Sequence, residues 1–585
     1  MHIVYLFTIL GLMTQYAIGQ TFEEVGLSLG VTATYDNPGQ FGGGCAIEDI
    51  NGDGLMDILA ASGTGHPLMI YLRTGNEYTL DAGLGCGITS AAQTSQILFG
   101  DYDNDGHRDV FVGNWGSENL LFRSNGNGTY SDVTSFTGVD GGSAQTSAAC
   151  WLDYNNDGWL DLYVTNYDIS SAGRPDYRNV LYRNNEGVNF TDVTEQAGVA
   201  DSADRAPLAV ISFDFDNDLD ADIYIANDRN QRGTLFRNNG DGTFSDAGDE
   251  TGIEPRMFGM GCAISDLNHD GWWDLYVTND PIGNLLFESN GDGTWEEVAS
   301  QRGVTVNYGC WGTEFLDFDM DGDDDLYVAN MAPPMPRDYL FENTGNGYFT
   351  DVSVAEGVND QEMTFGFAKG DLDNDGDMDM LASNIEDRPY VYLNRSSGFN
   401  YIRVRTQGVQ TNRDGVGAKV VVYAGSLVMQ QFVCAGQSYA SSSDPRLLFS
   451  LGTQNYADSI VVLWPSGVRD TWRNLDGNRD YVLEEGVSLD VPTLPPLTIS
   501  FELRQNYPNP FNPVSTIEFQ LNTPSEVELS VYNPLGQRVA TLVDEPMSAG
   551  LHRVQFDGTE LTSGSYVYRL TANGHSQNRV MTLLK

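Results

Sequence analysis

Asp371-Leu372-Asp373-Asn374-Asp375-Gly376-Asp377-Met378-Asp379 is the last of seven nonapeptides that share the pattern Asp-x-[Asp/Asn]-x-Asp-Gly-x-x-Asp. The others start at Asp49 (DINGDGLMD), Asp101 (DYDNDGHRD), Asp153 (DYNNDGWLD), Asp214 (DFDNDLDAD), Asp266 (DLNHDGWWD) and Asp317 (DFDMDGDDD), and only the fourth replaces the glycine, with Leu219. Successive starts lie 52, 52, 61, 52, 51 and 54 residues apart. A period of this length marks a repeat whose unit is one supersecondary element, unable to bury its apolar face alone.

Working outward, each acidic loop is preceded by an apolar run such as GCAIS (from Gly261) and followed by another, such as DLYVTN at Asp161 and Asp274 or DLYVAN at Asp325. A third run (NLLFESN), a turn (NGDG) and a fourth run (TWEEV) complete the unit. Four short strands in about 52 residues predict a propeller blade. Fourth-strand segments stand at Thr21 (TFEEV), Glu77 (EYTLD), Thr129 (TYSDV), Asn189 (NFTDV), Thr243 (TFSDA), Thr294 (TWEEV) and Tyr348 (YFTDV). The first precedes every acidic loop, and the last loop has none after it. The offset predicts that the strand near Thr21 completes the seventh blade and closes the ring.

Within each loop, oxygen ligands at positions 1, 3, 5 and 9, a carbonyl at 7 and a glycine at 6 suit a hard six-to-eight-coordinate cation, best calcium. The candidate ligands are Asp49, Asn51, Asp53 and Asp57; Asp101, Asp103, Asp105 and Asp109; Asp153, Asn155, Asp157 and Asp161; Asp214, Asp216, Asp218 and Asp222; Asp266, Asn268, Asp270 and Asp274; Asp317, Asp319, Asp321 and Asp325; Asp371, Asp373, Asp375 and Asp379. Up to seven Ca²⁺ are expected. An EF-hand would need Glu at position 12, where this chain has Ala60, Val112, Val164, Ile225, Val277, Val328 and Ala382, all strand residues.

Composition sets the class of partner. The chain has 585 residues, with 30 Lys+Arg against 82 Asp+Glu and a net charge of −52, a field that repels phosphate and argues against nucleic acid. An apolar run from Ile3 to Leu12, with small residues ending at Gly19, predicts a signal peptide over 1–19 and cleavage before Gln20. No later stretch reaches the roughly 18 apolar residues that span a bilayer, so no transmembrane segment is expected in the mature protein. Six cysteines without a CxxC do not make a disulfide scaffold. Cys45, Cys150, Cys262 and Cys310 recur just upstream of acidic loops, as small packing residues on an inner strand would.

These repeats resemble the FG-GAP and VCBS families, and Phe41-Gly42, Phe258-Gly259 and Phe365-Gly366 match the Phe-Gly half of the FG-GAP signature. The resemblance implies a seven-bladed β-propeller over 20–399, with calcium loops that support the structure and a binding surface made by other loops. From Asn400 the pattern changes to NYIRVR, Asn412-Arg413-Asp414-Gly415-Val416-Gly417-Ala418, Ser443-Asp444-Pro445-Arg446 and Val462-Leu463-Trp464-Pro465-Ser466-Gly467. This stretch is similar to the ASPIC/UnbV module of cartilage-acidic-protein-like proteins and implies a small β-rich domain over 400–490, with Leu448 where such modules often have His. Residues 491–500 read as a proline-rich linker. QNYPNPFNP, VELSVYNPLGQRV, SGSYVYRLTANG and the terminal VMTLLK resemble the type A sorting domain of type IX secretion, implying an Ig-like β-sandwich over 501–585. The resemblance further implies Sec export, handling by the type IX machinery, and a secreted or outer-surface location on a bacterium.

The whole is therefore expected to be all-β. Of six histidines, His107 and His269 lie in acidic loops, His2 in the signal, His552 and His575 in the C-terminal domain, and His66 stands apart, which makes no metal-ligating cluster or Ser-His-Asp set. The expected function is non-enzymatic binding or adhesion to an extracellular glycan or protein. The alternative is an extracellular carbohydrate-active or oxidative enzyme on the same scaffold. Trp159 and Trp272, at loop position 7, read more readily as packing residues than as sugar-stacking platforms.

Overall fold

The computed structural model describes residues 20–34, 42–81, 85–167, 177–200, 205–331, 337–345, 347–359, 361–488, 501–504, 506–521, 525–533, 538–548, 550–559, 561–572 and 575–585. The predicted signal peptide, the linker 491–500 and Phe41 lie outside them. The chain forms two compact units, Met1–Asp490 and Val491–Lys585.

Seven four-stranded antiparallel sheets make up the propeller. In the fifth blade the strands are Gly259–Ser265, Asp274–Asn279, Leu285–Ser289 and Trp295–Glu297, in that spatial order. The first strand of each blade is buried on both faces, as in CWGTEFL at Cys310–Leu316, whereas the fourth buries a single residue, as in Phe349–Asp351. That gradient explains the sequence: strands near the axis touch neighbouring blades on both sides and carry small or apolar residues, while rim strands face solvent. All six cysteines are free thiols, and Cys45, Cys150, Cys262 and Cys310 sit buried on first strands.

The ring closes as the strand offset predicts. Phe22–Glu24 pairs antiparallel with Tyr390–Asn394, in the register Phe22 with Asn394 and Glu24 with Tyr392, as the outermost strand of the seventh blade. Among the described residues, five single-turn helices after fourth strands, such as Thr194–Ala197, are a feature that the strand reading did not include. Thr134, Thr194 and Ser353 open three of them, and their hydroxyls accept from the amides of Leu121, Leu181 and Leu340. In the fourth blade Gly248 takes this place, and the Glu254 carboxylate accepts from the Leu235 amide instead, at 2.8 Å.

Residues 400–488 form a second β layer within the same unit. Asn400–Gln407 pairs antiparallel with Leu447–Gly452 and parallel with Arg479–Glu484. A four-stranded sheet, Leu427–Phe432, Lys419–Ala424, Tyr456–Leu463 and Arg469–Asp476, lies with it around Val404, Val420 and Trp464. One apolar core joins these residues to Trp151, Leu162 and Phe190 of the propeller. From this module a hairpin around 434–444 runs down the propeller axis. Ala435 O accepts from Trp151 N, Ser438 exchanges both backbone bonds with Cys262, and Ser442 bonds Cys45 and Ile47. Its tip, Tyr439, lies against Trp311 at 4.9 Å between ring centroids. The channel is thus filled by the module's own backbone.

The second unit is a sandwich of a three-stranded sheet (Phe501–Leu503, Val514–Leu521, Gly550–Asp557) and a four-stranded sheet (Arg538–Met547, Ser525–Tyr532, Gly564–Ala572, His575–Leu583) around Phe519, Leu529 and Tyr568. Among the described residues no helix is long and apolar enough to cross a membrane.

Candidate metal centres and the module that covers them

All seven nonapeptides fold alike. The position-1 carboxylate accepts from the backbone amides of positions 5 and 6 at 2.8–3.1 Å in every loop, from Asp49 to Asp371. The position-5 carboxylate caps the amide of position 7, as Asp53 does for Leu55 at 2.9 Å. Position 9 starts the second strand and is buried in all seven blades. One of its oxygens accepts from the amide of position 2 at 2.7–3.2 Å, and the other from a third-strand amide at 2.6–2.9 Å. The ninth residue therefore ties the loop to the sheet as well as pointing into it.

Four loops bring three carboxylates within 4.8 Å of one another: Asp101, Asp103 and Asp109; Asp214, Asp216 and Asp218; Asp317, Asp319 and Asp325; and Asp371, Asp373 and Asp379. In the other three, position 3 is Asn51, Asn155 or Asn268, which offers an amide oxygen. Asn155 also donates from Nδ2 to Asp157 Oδ2 at 2.8 Å. The donor set fits a hard divalent cation. Two position-3 oxygens, Asp216 Oδ1 and Asp373 Oδ1, are buried without a hydrogen-bond partner, and buried polar atoms are rarely left so.

Electrostatics point the same way. Burial, opposed by amide bonds but reinforced by neighbouring carboxylates, pushes Asp57, Asp153 and Asp214 up to about 7. Asp101 also rises to about 7, from burial and then from the Asp414 charge. Burial holds Asp109, Asp161, Asp222, Asp274, Asp325 and Asp379 well above the usual carboxylate range. Such groups give up their protons when a cation supplies the countercharge.

Two sets of contributing residues were not singled out from the sequence. Position 4 has positive φ in every loop, from 52° at Asn156 to 74° at Gly52, and in five loops, those of Asn104, Asn156, Asn217, His269 and Asn374, its side chain reaches the next loop around the ring. Asn104 donates to Gly158 O at 2.9 Å, Asn156 to Asp220 Oδ1 at 2.7 Å and Asn374 to Gly54 O at 3.0 Å, while His269 Nε2 meets Asp323 Oδ1 at 2.6 Å. The recurrence of Gly or Asn at position 4 was the available signal. On third strands, Asn184, Asn238, Asn343 and Asn394 each donate both to position 8 of their own loop and to position 2 of the preceding one, as Asn184 does to Leu160 O (2.9 Å) and Tyr102 O (2.8 Å). Trp159 and Trp272 are half-buried over turn glycines, where a Cβ at Gly187 or Gly291 would come within 2.8 or 2.9 Å of the indole.

The acidic-loop end of the propeller is where the module sits. Lys419 Nζ donates to Gly271 O at 2.7 Å and Asn217 Oδ1 at 3.2 Å; Arg446 donates to Asn374 Oδ1 at 2.8 Å and Asp371 O at 3.0 Å; Arg403 pairs with Asp371 at 2.5 Å. Asp414 accepts from Asp101 N and from Arg108 Nε, both at 3.0 Å. A cavity of about 70 Å³ remains between propeller and module, bordered by Glu314, Lys369, Arg108, Asp414 and Gln430.

Comparison with known proteins places three sequence families on this frame. FG-GAP-like repeats match at 49–112, 101–164, 214–277 and 266–328, ASPIC and UnbV at 408–489, and a secretion system C-terminal sorting domain at 505–582. Cartilage acidic protein 1 of Homo sapiens is 26% identical over 514 residues, covering 79% of this chain and 74% of that protein; the Mus musculus protein is 26% identical over 486 residues, covering 74% and 72%. Among solved structures, PorZ, a surface component of the Porphyromonas gingivalis type IX secretion system, aligns over 94% of this chain and 83% of its own at 12% identity, with a TM-score of 0.25. The SapL1 lectin in complex with alpha methyl fucoside aligns over 53% and 95% at 11% identity, with a TM-score of 0.32. The chain thus carries FG-GAP-like repeats, an ASPIC and UnbV domain and a secretion system C-terminal sorting domain that addresses it to the cell surface or beyond by type IX secretion.

Proposed function

We propose that this protein is a non-catalytic binding protein of the cell surface or secreted space, in which calcium in the acidic loops stiffens a propeller that presents a glycan or protein ligand site. The convergence of buried carboxylates in loops of one repeated geometry is the observation that carries this reading. Calcium would neutralise each cluster, held by the side chains of positions 1, 3, 5 and 9 in the twenty-eight-residue set that the spacing picks out. The ligand face is assigned to the opposite end of the blades, because residues 400–488 occupy the acidic-loop end and their hairpin fills the axis. That assignment agrees with loops other than the acidic ones forming the binding surface.

A glycan array and a surface-protein pull-down, run beside an activity screen on polysaccharides and oxidisable sugars, test the reading. Saturable binding without turnover, weakened by substitutions at the far end of the blades, is the expected result. Turnover of a sugar substrate would transfer the protein to the enzymatic class.

A further inference from the structure

Position 7 is aspartate in three loops: Asp220, Asp323 and Asp377. In the fourth and sixth loops this side chain is used by the preceding loop, Asp220 accepting from Asn156 at 2.7 Å and Asp323 meeting His269 at 2.6 Å. In the seventh loop the preceding position 4 is Met320, which has no hydrogen to donate there. Asp377 is nonetheless only 5% exposed, and both of its carboxylate oxygens are buried without a hydrogen-bond partner. The charges that act on it are those of Asp375, Asp373 and Asp371, and its carboxyl lies within hydrogen-bond reach of that of Asp375, a pair of acceptors that only a shared proton or a cation can hold together. Three cationic side chains reach this loop and each is engaged with other groups than Asp377, Arg403 with Asp371 and Asp480, Arg446 with Asp444 and Asn374, and Arg395 with Asp373 and Glu23.

We infer that the seventh loop holds a second divalent cation, bridged by the Asp375 and Asp377 carboxylates, beside the ion enclosed by Asp371, Asp373 and Asp379. A bare buried carboxylate is costly unless a cation satisfies it, and two adjoining carboxylates form the oxygen pair that Ca²⁺ or Mn²⁺ takes. Asp375 is exposed, so water can complete the coordination sphere from the solvent side. The inference rests on the reading that the acidic loops take divalent cations, and it adds to that reading a ligand at a position otherwise credited only with its carbonyl.

The test is anomalous diffraction from crystals of the full chain grown with MnCl₂, joined to metal analysis of the same protein after equilibration in CaCl₂. Two peaks in the seventh loop are expected, one of them between Asp375 and Asp377, with single peaks in the others. Asp377→Asn should lose that one peak and one equivalent of bound calcium per chain, leaving the remaining peaks in place. Asp377→Leu, which copies Leu55 of the first loop, serves if the asparagine variant folds poorly. A single peak in the wild-type seventh loop, with unchanged ion content in either variant, overturns the inference while leaving the loop reading intact. A map with no peak in any loop overturns both.

Discussion

The fourth and seventh acidic loops have the same spacing and five carboxylates each, yet they are held differently. In the fourth, Leu219 occupies the position-6 turn at φ 74°, and a single module side chain, Lys419, reaches the loop through Asn217. In the seventh, Gly376 has φ 96° and lies so close to the module that a Cβ would stand 1.9 Å from Tyr401 Cε1, while Arg403 and Arg446 clamp Asp371 and Asn374. The sixth position thus has only to make the turn in the fourth loop, which Leu219 does at a left-handed φ, while in the seventh it must also admit the module, which the missing Cβ of Gly376 allows. A strained turn survives at the fourth loop because side-chain bonds from Asp214 to the amides of Asp218 and Leu219, both at 3.0 Å, still close it.

Removing the cations should have the largest effect and bear on both loops at once. With site dissociation constants near 10⁻⁴ M, about 1 mM Ca²⁺ stabilises by about 1.4 kcal/mol per site, on the order of 10 kcal/mol over the set. Calorimetry with and without a chelator should show a large drop in melting temperature. No drop would remove calcium from the account of either loop.

Next in size is Gly376→Leu, which combines a left-handed φ cost of roughly 1–2 kcal/mol with a clash against Tyr401 of roughly 1–3 kcal/mol. Denaturant melts should register destabilisation, and hydrogen exchange should locate it in both the seventh blade and the strand Asn400–Gln407. Loss confined to the blade would mean that the close approach to Tyr401 is not what the glycine serves.

A smaller effect separates protons from calcium. Asp57, Asp101, Asp153 and Asp214 are raised to about 7 from an unfolded value of 3.8. In chelator, their contribution to stability is therefore fully present below about pH 4 and is lost as pH rises through about 7. In calcium the sign reverses, since the ion binds the deprotonated loop and gains affinity over the same interval. Melting temperatures from pH 4 to 8 should fall in chelator relative to the calcium series; parallel curves would contradict the electrostatic reading of the loops.

The smallest change sharpens the contrast from the other side. Leu219→Gly should relieve roughly 1 kcal/mol of turn strain and raise the melting temperature in calcium. An unchanged value would show that the fourth loop carries no excess strain.

Much of this molecule follows from local chemistry. The seven-fold spacing of Asp-x-[Asp/Asn]-x-Asp loops, four strands between them, and a fourth-strand segment at Thr21 displaced to the start of the chain were enough to place blades, loops and closure, because each depends on residues within one repeat or on a simple count. The helical turn at Thr194–Ala197 escaped that reading, since one turn leaves too little periodicity to recognise. The positive φ at position 4 was written in its Gly and Asn residues, but the bonds from those side chains to the next loop were not. Only the tertiary structure decided that Ser438 pairs with Cys262, that Tyr439 reaches Trp311, that Arg403 and Arg446 converge on Asp371, and that Asp377 is left bare beside Asp375. These contacts join residues from 32 to 176 positions apart, or turn on what a neighbouring loop fails to supply at Met320, and no local pattern encodes which distant surface will cover a given side chain.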